Sequence, residues 1–284
     1  MNQHLPDREP MPGPGPEIDR LQASADLWKP GGGYYLETAS QLKAKPVLPD
    51  LTRLTDRRLR ALFEGHARSG SRVLEIGCGG SAWLPYLGLL MGCTVVGIDI
   101  EPFAAELARA NLAGAGVQGE ILCRDGFDLE ANADLARSFD LVYSRGVMEH
   151  FADPVRRLRI LASYLKSHGR ILTTVPNLQG VNWWFQRIAD LERLDMHVVY
   201  DAGALTRVHE DAGFRTIAAG YVGFYDGWMT ASGPGAGRLR QRIHHWLCRV
   251  SSLGGAAFER VCPSVLIPEL RWMAPHVFYV GRPS

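Results

Sequence analysis

The 284-residue chain reads as an α/β protein with an open, doubly wound, mostly parallel sheet, and three observations predict it. Short runs rich in β-branched residues alternate with stretches whose apolar residues recur at helical spacing. Successive runs close on an acid, as at Asp99 and Asp125. The first run, Val73-Leu74-Glu75-Ile76, passes straight into Gly77-Cys78-Gly79-Gly80-Ser81, a turn where backbone rather than side chain faces a ligand. Sheets of this kind bind ligands at the carboxyl ends of their strands, which puts the site in a crevice above these tips.

Taken in order, residues 1–20 hold Pro6, Pro10, Pro12, Pro14 and Pro16 and read as a flexible tail ahead of a single domain, 21–284. That domain divides into an N-terminal lid and helix (21–69), a ligand-binding core (70–180), and substrate-side insertions with closing strands (181–284). Three glycines beside Trp28, Tyr34 and Tyr35 suit either a lid or an arm pinned to the domain. A helix is predicted from Thr55, as its cap, to Arg68, with Leu59, Leu62 and Phe63 on one face. Beyond the glycine turn, Ala82–Leu90 reads as helix, Thr94–Asp99 as strand, Glu101–Ala113 as helix and Glu120–Asp125 as strand. Phe139–Ser144 is the fourth strand. Asp153-Pro154 then opens a helix with Leu158, Leu161 and Leu165 inward, stopped by Ser167-His168-Gly169. Arg170–Asn177 is the fifth strand, and helices follow at Val181–Phe185 and Asp201–Ala212. Late in the chain a helix is predicted with Leu239, Ile243, Trp246, Leu247 and Val250 inward and Arg238, Arg240, Arg242, His245 and Arg249 in solvent. Its insertion serves as a cap over the substrate site or as a subunit interface.

Composition narrows the partners. Lys plus Arg number 31 against 30 acids, so no global field favours nucleic acid or an anionic membrane. No apolar run approaches the roughly 18 residues of a membrane span. Residues 1–20 lack the apolar stretch of a secretion signal. Five cysteines, odd in number and without C-x-x-C spacing, speak against a metal site or a disulfide frame and for a cytoplasmic protein.

Two ligands compete for the glycine corner. Gly77-x-Gly79-x-x-Ala82 with Asp99 beyond it satisfies a dinucleotide fingerprint. Glu75 opposes that, because a strand-tip carboxylate beside a pyrophosphate places like charges together in a poorly solvated crevice. A cationic ligand removes the conflict. Here the stretch resembles motif I of the class I S-adenosylmethionine-dependent methyltransferases, with Ser81 at their usual third glycine position. Arg145-Gly146-Val147-Met148-Glu149-His150, running on from the fourth strand, resembles the same family's segment beneath the cofactor. The resemblance covers about residues 70–180. It implies a Rossmann-like seven-stranded sheet, mostly parallel, closed by an antiparallel pair at Arg215–Tyr225 and His276–Gly281, with an N-terminal lid and a helical cap. It implies S-adenosyl-L-methionine as cofactor and S-adenosyl-L-homocysteine as product. The cofactor-binding set is Glu75, Gly77, Gly79, Asp99, Ile100, Asp125, Gly126, Phe127 and Ser144, with Asp99 on the ribose and Asp125 on the adenine amine.

Methyl transfer is an in-line displacement that needs a general base only when the acceptor must lose a proton. His150 and His197 are the candidate bases; Trp28, Tyr34, Tyr35, Asn177, Trp183 and Tyr225 are the candidate substrate contacts. The function expected is methylation of an O, N or S atom of a small metabolite, with no nucleic-acid or membrane partner and a homodimer left open. The alternatives are a thioether S-methyltransferase making a sulfonium product and a non-catalytic S-adenosylmethionine-binding partner subunit.

Overall fold

In a computed structural model, which describes residues 38–190, 197–224, 237–262, 267 and 269–284, the apolar runs become strands of one sheet. They are β1 (Arg72–Ile76), β2 (Thr94–Asp99), β3 (Gly119–Cys123), β4 (Phe139–Arg145), β5 (Leu165–Pro176), β6 (Phe214–Val222) and β7 (His276–Pro283). Their order is β3-β2-β1-β4-β5-β7-β6, parallel through β5, with β7 antiparallel to both β5 and β6. The described helices are α1 (Ala39–Ala44), α2 (Leu54–His66), α3 (Trp83–Met91), α4 (Pro102–Gly114), α5 (Pro154–Tyr164), α6 (Val181–Ala189), α7 (Ala202–Asp211) and α8 (Arg238–Val261). The strand order reverses between β1 and β4, and a crevice opens where the chain departs to opposite sides.

Register decides which side chains share a face, because successive strand residues point to opposite sides. Ile76 pairs with Ile98 and Ser144, and Ser144 with Thr173. Glu75 pairs with Gly97 and Tyr143, and Tyr143 with Leu172, on the other face. Ile76 and Ile98 join the core against α5 and α7, with Leu158, Leu161 and Leu205 buried there. Val73 and Tyr143 join the core against α2 and α3. In that second layer the Phe63 ring lies 4.7 Å from Trp83 and 4.9 Å from Tyr143, so Phe63→Ala would cost about 3–5 kcal/mol.

Several local expectations fail for reasons sequence spacing does not show. Thr55 does not cap α2: it lies inside the first turn, and its buried hydroxyl donates to the Phe224 carbonyl at 3.1 Å. The first N–H of that helix, from Leu54, is taken instead by Glu259 at 2.8 Å, a partner 205 residues away. Ser167-His168-Gly169 does not separate helix from strand but belongs to β5, where Lys166 and His168 reach Asp140 at 2.8 and 3.2 Å. The late helix α8 keeps Arg238, Arg240, Arg242, His245 and Arg249 exposed, as expected, but does not turn its apolar stripe inward. It buries His244 and Cys248 and half-buries Leu247, while Leu239, Ile243, Trp246 and Val250 are exposed.

At the N-terminal side, Thr38 and Gln41 form a capping box on α1. The buried Asn111 side chain on α4 pins the segment that follows, accepting from Val47 N–H and donating to the carbonyls of Val47 and Ser81. The proposed tail and the aromatic lid residues Trp28, Tyr34 and Tyr35 lie outside the described residues, as does Tyr225.

Candidate active site

A cavity of about 230 Å³ opens above the tips of β1, β2 and β4. Its floor is Ile76, Gly77 and Ile98, and Gly77 takes a left-handed φ of 71° that turns the chain away from the sheet. A Cβ at Gly77 would lie 2.6 Å from Val147 Cγ2, so the floor requires glycine on both counts. Gly77 and Cys78 N–H groups both donate to the Ile98 carbonyl, at 2.8 and 3.1 Å, tying the turn to the neighbouring strand.

Asp99 ends β2 with one carboxylate oxygen accepting Gly79 N–H at 2.8 Å and the other accepting Glu101 N–H at 3.0 Å. Burial pushes its carboxyl up, and the two backbone N–H groups pull it back. Each oxygen keeps a further lone pair for a ligand hydroxyl. Asp125 accepts Phe127 N–H at 2.9 Å, an Asx turn that sets Gly126 and Phe127 against the cavity. The Gly126 carbonyl accepts the Tyr164 hydroxyl at 3.0 Å. Phe127 meets Phe151 edge-on at 5.0 Å, and the Arg157 guanidinium lies 3.8 Å over Phe151 and 4.9 Å over Phe127. Ile100 completes this apolar slot while 64% exposed.

Beyond β4 the chain makes a 3-10 turn, Met148–His150. His150 lines the cavity and its ring centroid lies 4.8 Å from that of His197. Buried Glu149 stands behind, Oε1 3.9 Å from His150 Nε2, with burial pushing its carboxyl up to about 8. The Glu149 carbonyl accepts Val198 N–H at 2.7 Å, which brings the His197 segment to the turn. Ligating atoms of Glu149, His150 and His197 all lie within 4.8 Å of one another.

The structure therefore brings Gly77, Asp99, Ile100, Asp125, Gly126, Phe127 and His150 onto one cavity, with His197 adjoining. It does not bring Glu75 to the wall. Parity sends that side chain to the far face, where Oε2 accepts the Tyr143 hydroxyl at 2.6 Å and Ser81 supplies a second hydrogen bond. Burial pushes the Glu75 carboxyl up to about 7. Ser81 Oγ also accepts the N–H groups of Trp83 and Leu84, so the residue at the third glycine position fastens the turn to α3. Gly79 serves from beneath, through its N–H to Asp99, and Ser144 is buried in β4 without lining the cavity. Asn177 does not line the cavity: its buried amide nitrogen donates to the carbonyls of Arg271 and Ala274 at 2.6 and 2.7 Å, fastening β5 to the segment before β7. Trp183 is half-buried on α6, edge-on to Trp184 at 4.8 Å, away from the cavity lining.

Sequence reasoning missed Arg145, Val147, Phe151 and Arg157, all on the wall. Arg145 was legible in principle, since it is the last residue of β4 as Asp99 is the last of β2. Its guanidinium lies 5.8 Å over Trp83, it faces Glu75, Asp56 and His276 electrostatically, and its buried Nε has no hydrogen-bond partner among the described residues.

These features fit S-adenosylmethionine. A glycine floor that excludes any Cβ leaves backbone to face the ligand, the apolar slot of Ile100, Phe127 and Phe151 suits a flat ring, and Asp99 and Asp125 suit hydroxyl and amine donors. The unsatisfied Arg145 Nε suits a carboxylate.

Fold and site together are those of a class I S-adenosylmethionine-dependent methyltransferase, an enzyme whose cofactor is S-adenosylmethionine. A family model described as a methyltransferase domain matches residues 48–219, more than half of the chain, and the protein belongs to that family. Among curated relatives, a ubiquinone biosynthesis O-methyltransferase of Xanthomonas axonopodis pv. citri (strain 306) is 31% identical over 161 residues, 57% of this chain and 61% of its own. The chain thus spans about three-fifths of the length of the curated relatives it matches. Two solved structures share the fold. A SAM-dependent methyltransferase from Aquifex aeolicus has a TM-score of 0.51 at 20% identity, covering 66% of this chain and 94% of its own. One from Archaeoglobus fulgidus has 0.51 at 15%, covering 86% and 94%.

Proposed function

We propose that the protein methylates a hydroxyl oxygen of a small metabolite, with His150 as the base that takes the hydroxyl proton. One observation carries the reading: an imidazole on the cavity wall is backed by a buried carboxyl 3.9 Å behind it and a second imidazole at 4.8 Å. A hydroxyl must shed its proton as it attacks, and a neutral imidazole within reach takes it. When bound, S-adenosylmethionine supplies the electrophilic methyl group and the neutral thioether leaving group. The chain's own residues do the rest. Asp99, Asp125 and the Phe127–Phe151 slot fix one partner, and Arg145 holds a carboxylate at the glycine turn. Glu149 stands behind the His150 ring as a carboxyl that its burial keeps protonated up to about pH 8, so it offers the imidazole a compensating charge only above that range. His197 stands where the proton passes outward. The O-methyltransferase name of the curated relatives supports the same acceptor atom. A thioether acceptor carries no proton, so the Glu149–His150 pair would have no work to do.

The test is release of S-adenosylhomocysteine with hydroxylated acceptors against matched thioethers and amines. Turnover only with hydroxyl compounds is expected, and turnover confined to thioethers or amines would refute the proposal. His150→Ala is expected to lose turnover while keeping S-adenosylhomocysteine binding, by about 10²–10⁴-fold if general base catalysis is at work. A chelator is expected to leave turnover unchanged; a loss restored by a divalent metal would give Glu149, His150 and His197 to a metal instead.

A further inference from the structure

The outward face of α8 is built like an interfacial helix. Leu239, Ile243, Trp246, Val250 and Leu253 recur at alternating steps of four and three, so they form one stripe along the helix. All five are exposed: Leu239 by 71%, Trp246 by 62% and Leu253 by 69%. The inward side is occupied by buried His244 and Cys248, so the helix has a settled orientation on the domain. Exposed Arg238, Arg240, Arg242 and Arg249 flank the stripe.

Charge is segregated onto this element. Arg238–Val261 holds five arginines and one acid, a net +4, whereas the whole chain is +1, so the remainder carries −3. The single acid, Glu259, is turned inward, accepting Leu54 N–H at 2.8 Å and facing Arg57 at 3.8 Å. The near-neutral total therefore conceals a strongly basic, apolar face, and the expectation of no membrane partner does not follow from it.

We propose that this face of α8 docks on an anionic lipid surface, with the stripe in the headgroup–acyl boundary and the arginines among the lipid phosphates. Charge complementarity selects this occupant over a second copy. Ile243 and Val250 alternate with Leu239, Trp246 and Leu253 as in a two-stranded coiled coil, but the positions flanking that seam are Arg240, Arg242 and Arg249. Two copies would set arginines against arginines with no acid to pair them. A nucleic acid would meet the arginines yet leave Leu, Ile, Val and Trp covering nothing apolar. A bilayer satisfies both. α8 packs on α6, which begins just past the end of β5, at the sheet edge that carries the cavity. On α6, Trp184 and Ile188 are exposed as well.

The experiment is cosedimentation of the full chain with vesicles of phosphatidylcholine alone and of phosphatidylcholine with phosphatidylglycerol, at low and high salt. Binding to the anionic vesicles, weakened by salt, is expected. Arg240→Gln, Arg242→Gln and Arg249→Gln together are expected to lower partitioning about a hundred-fold, from roughly five-fold per arginine. Trp246→Glu is expected to abolish binding. Each variant's circular dichroism and S-adenosylhomocysteine affinity, expected unchanged, show that the fold is kept. No vesicle binding by the parent chain, equal binding to neutral vesicles, or variants that bind like the parent would overturn the proposal. So would sedimentation velocity showing a dimer that Trp246→Glu dissociates, which would give the stripe to a second copy. Duplex DNA that displaces the chain from vesicles while binding the Trp246→Glu variant equally well would overturn it in favour of a nucleic-acid face.

Discussion

Gly77→Ala tests whether the cavity floor is set by backbone geometry. The residue holds φ at 71°, and its added Cβ would lie 2.6 Å from Val147 Cγ2. The left-handed conformation costs an alanine about 1–2 kcal/mol. The contact adds about 1–3 kcal/mol of overpacking, since Val147 sits on the wall opposite. Relief by movement is restricted, because the N–H groups of Gly77 and Cys78 are both held by the Ile98 carbonyl. The sum, about 2–5 kcal/mol, is expected to appear as lost stability in urea unfolding and as weakened S-adenosylhomocysteine binding by calorimetry. Adding Val147→Ala removes the atom that is struck and leaves the backbone cost, so the double variant is expected to recover the contact part alone. Gly77→Ala as stable and as tight-binding as the parent, or a double variant no better than the single, would refute this reasoning.

Asp99→Ala is expected to weaken S-adenosylhomocysteine at least about ten-fold, a loss of about 1.4 kcal/mol, in the same calorimetric titration; unchanged affinity would remove Asp99 from the ribose. Tyr143→Phe deprives the buried Glu75 carboxyl of its 2.6 Å donor and is expected to cost about 1–3 kcal/mol in urea unfolding, with no loss if that bond is dispensable. His209 is held neutral by burial, with its value lowered from 6.5 to about 4, Nδ1 on the Leu205 carbonyl and Nε2 against the Thr173 hydroxyl at 2.8 Å. Its stability contribution is present above 6.5 and is lost as pH falls toward 4, where only the unfolded chain gains a proton, by about 3 kcal/mol. Glu75 and Glu149 work in the opposite sense, since raised carboxyls favour the fold below 4.5 and lose that as pH rises through about 7 and 8. The measurement is therefore the difference between parent and His209→Gln across pH 4–7, expected to shrink toward pH 4; a difference independent of pH would refute it.

What was legible in the sequence and what was not divides along one physical line. Strand β2 was predicted to the residue, from Thr94 to Asp99, because period and composition are local properties of the chain. The strand-tip residues Asp99, Ile100, Asp125 and Phe127 reach the cavity because a parallel sheet delivers consecutive tips to one edge. Glu75 lies two residues before the turn and was placed by motif rather than by parity. The pleat assigns it to the face opposite Ile76, and the Tyr143 hydroxyl there is known only once β1 and β4 are in register. The capping role taken from Thr55 by Glu259, and the Asn177 amide spent on Arg271 and Ala274, are hydrogen bonds across 205 and up to 97 residues, which no local window contains. The α8 stripe is the most instructive case. Its periodicity is plain in the sequence, but period alone fixes only that one face is apolar. Which face turns inward depends on what the domain offers in return, and here His244 and Cys248 take the inside while Leu239, Trp246 and Leu253 remain outside. An amphipathic pattern is therefore evidence of an interface, and the partner across it can lie outside the chain.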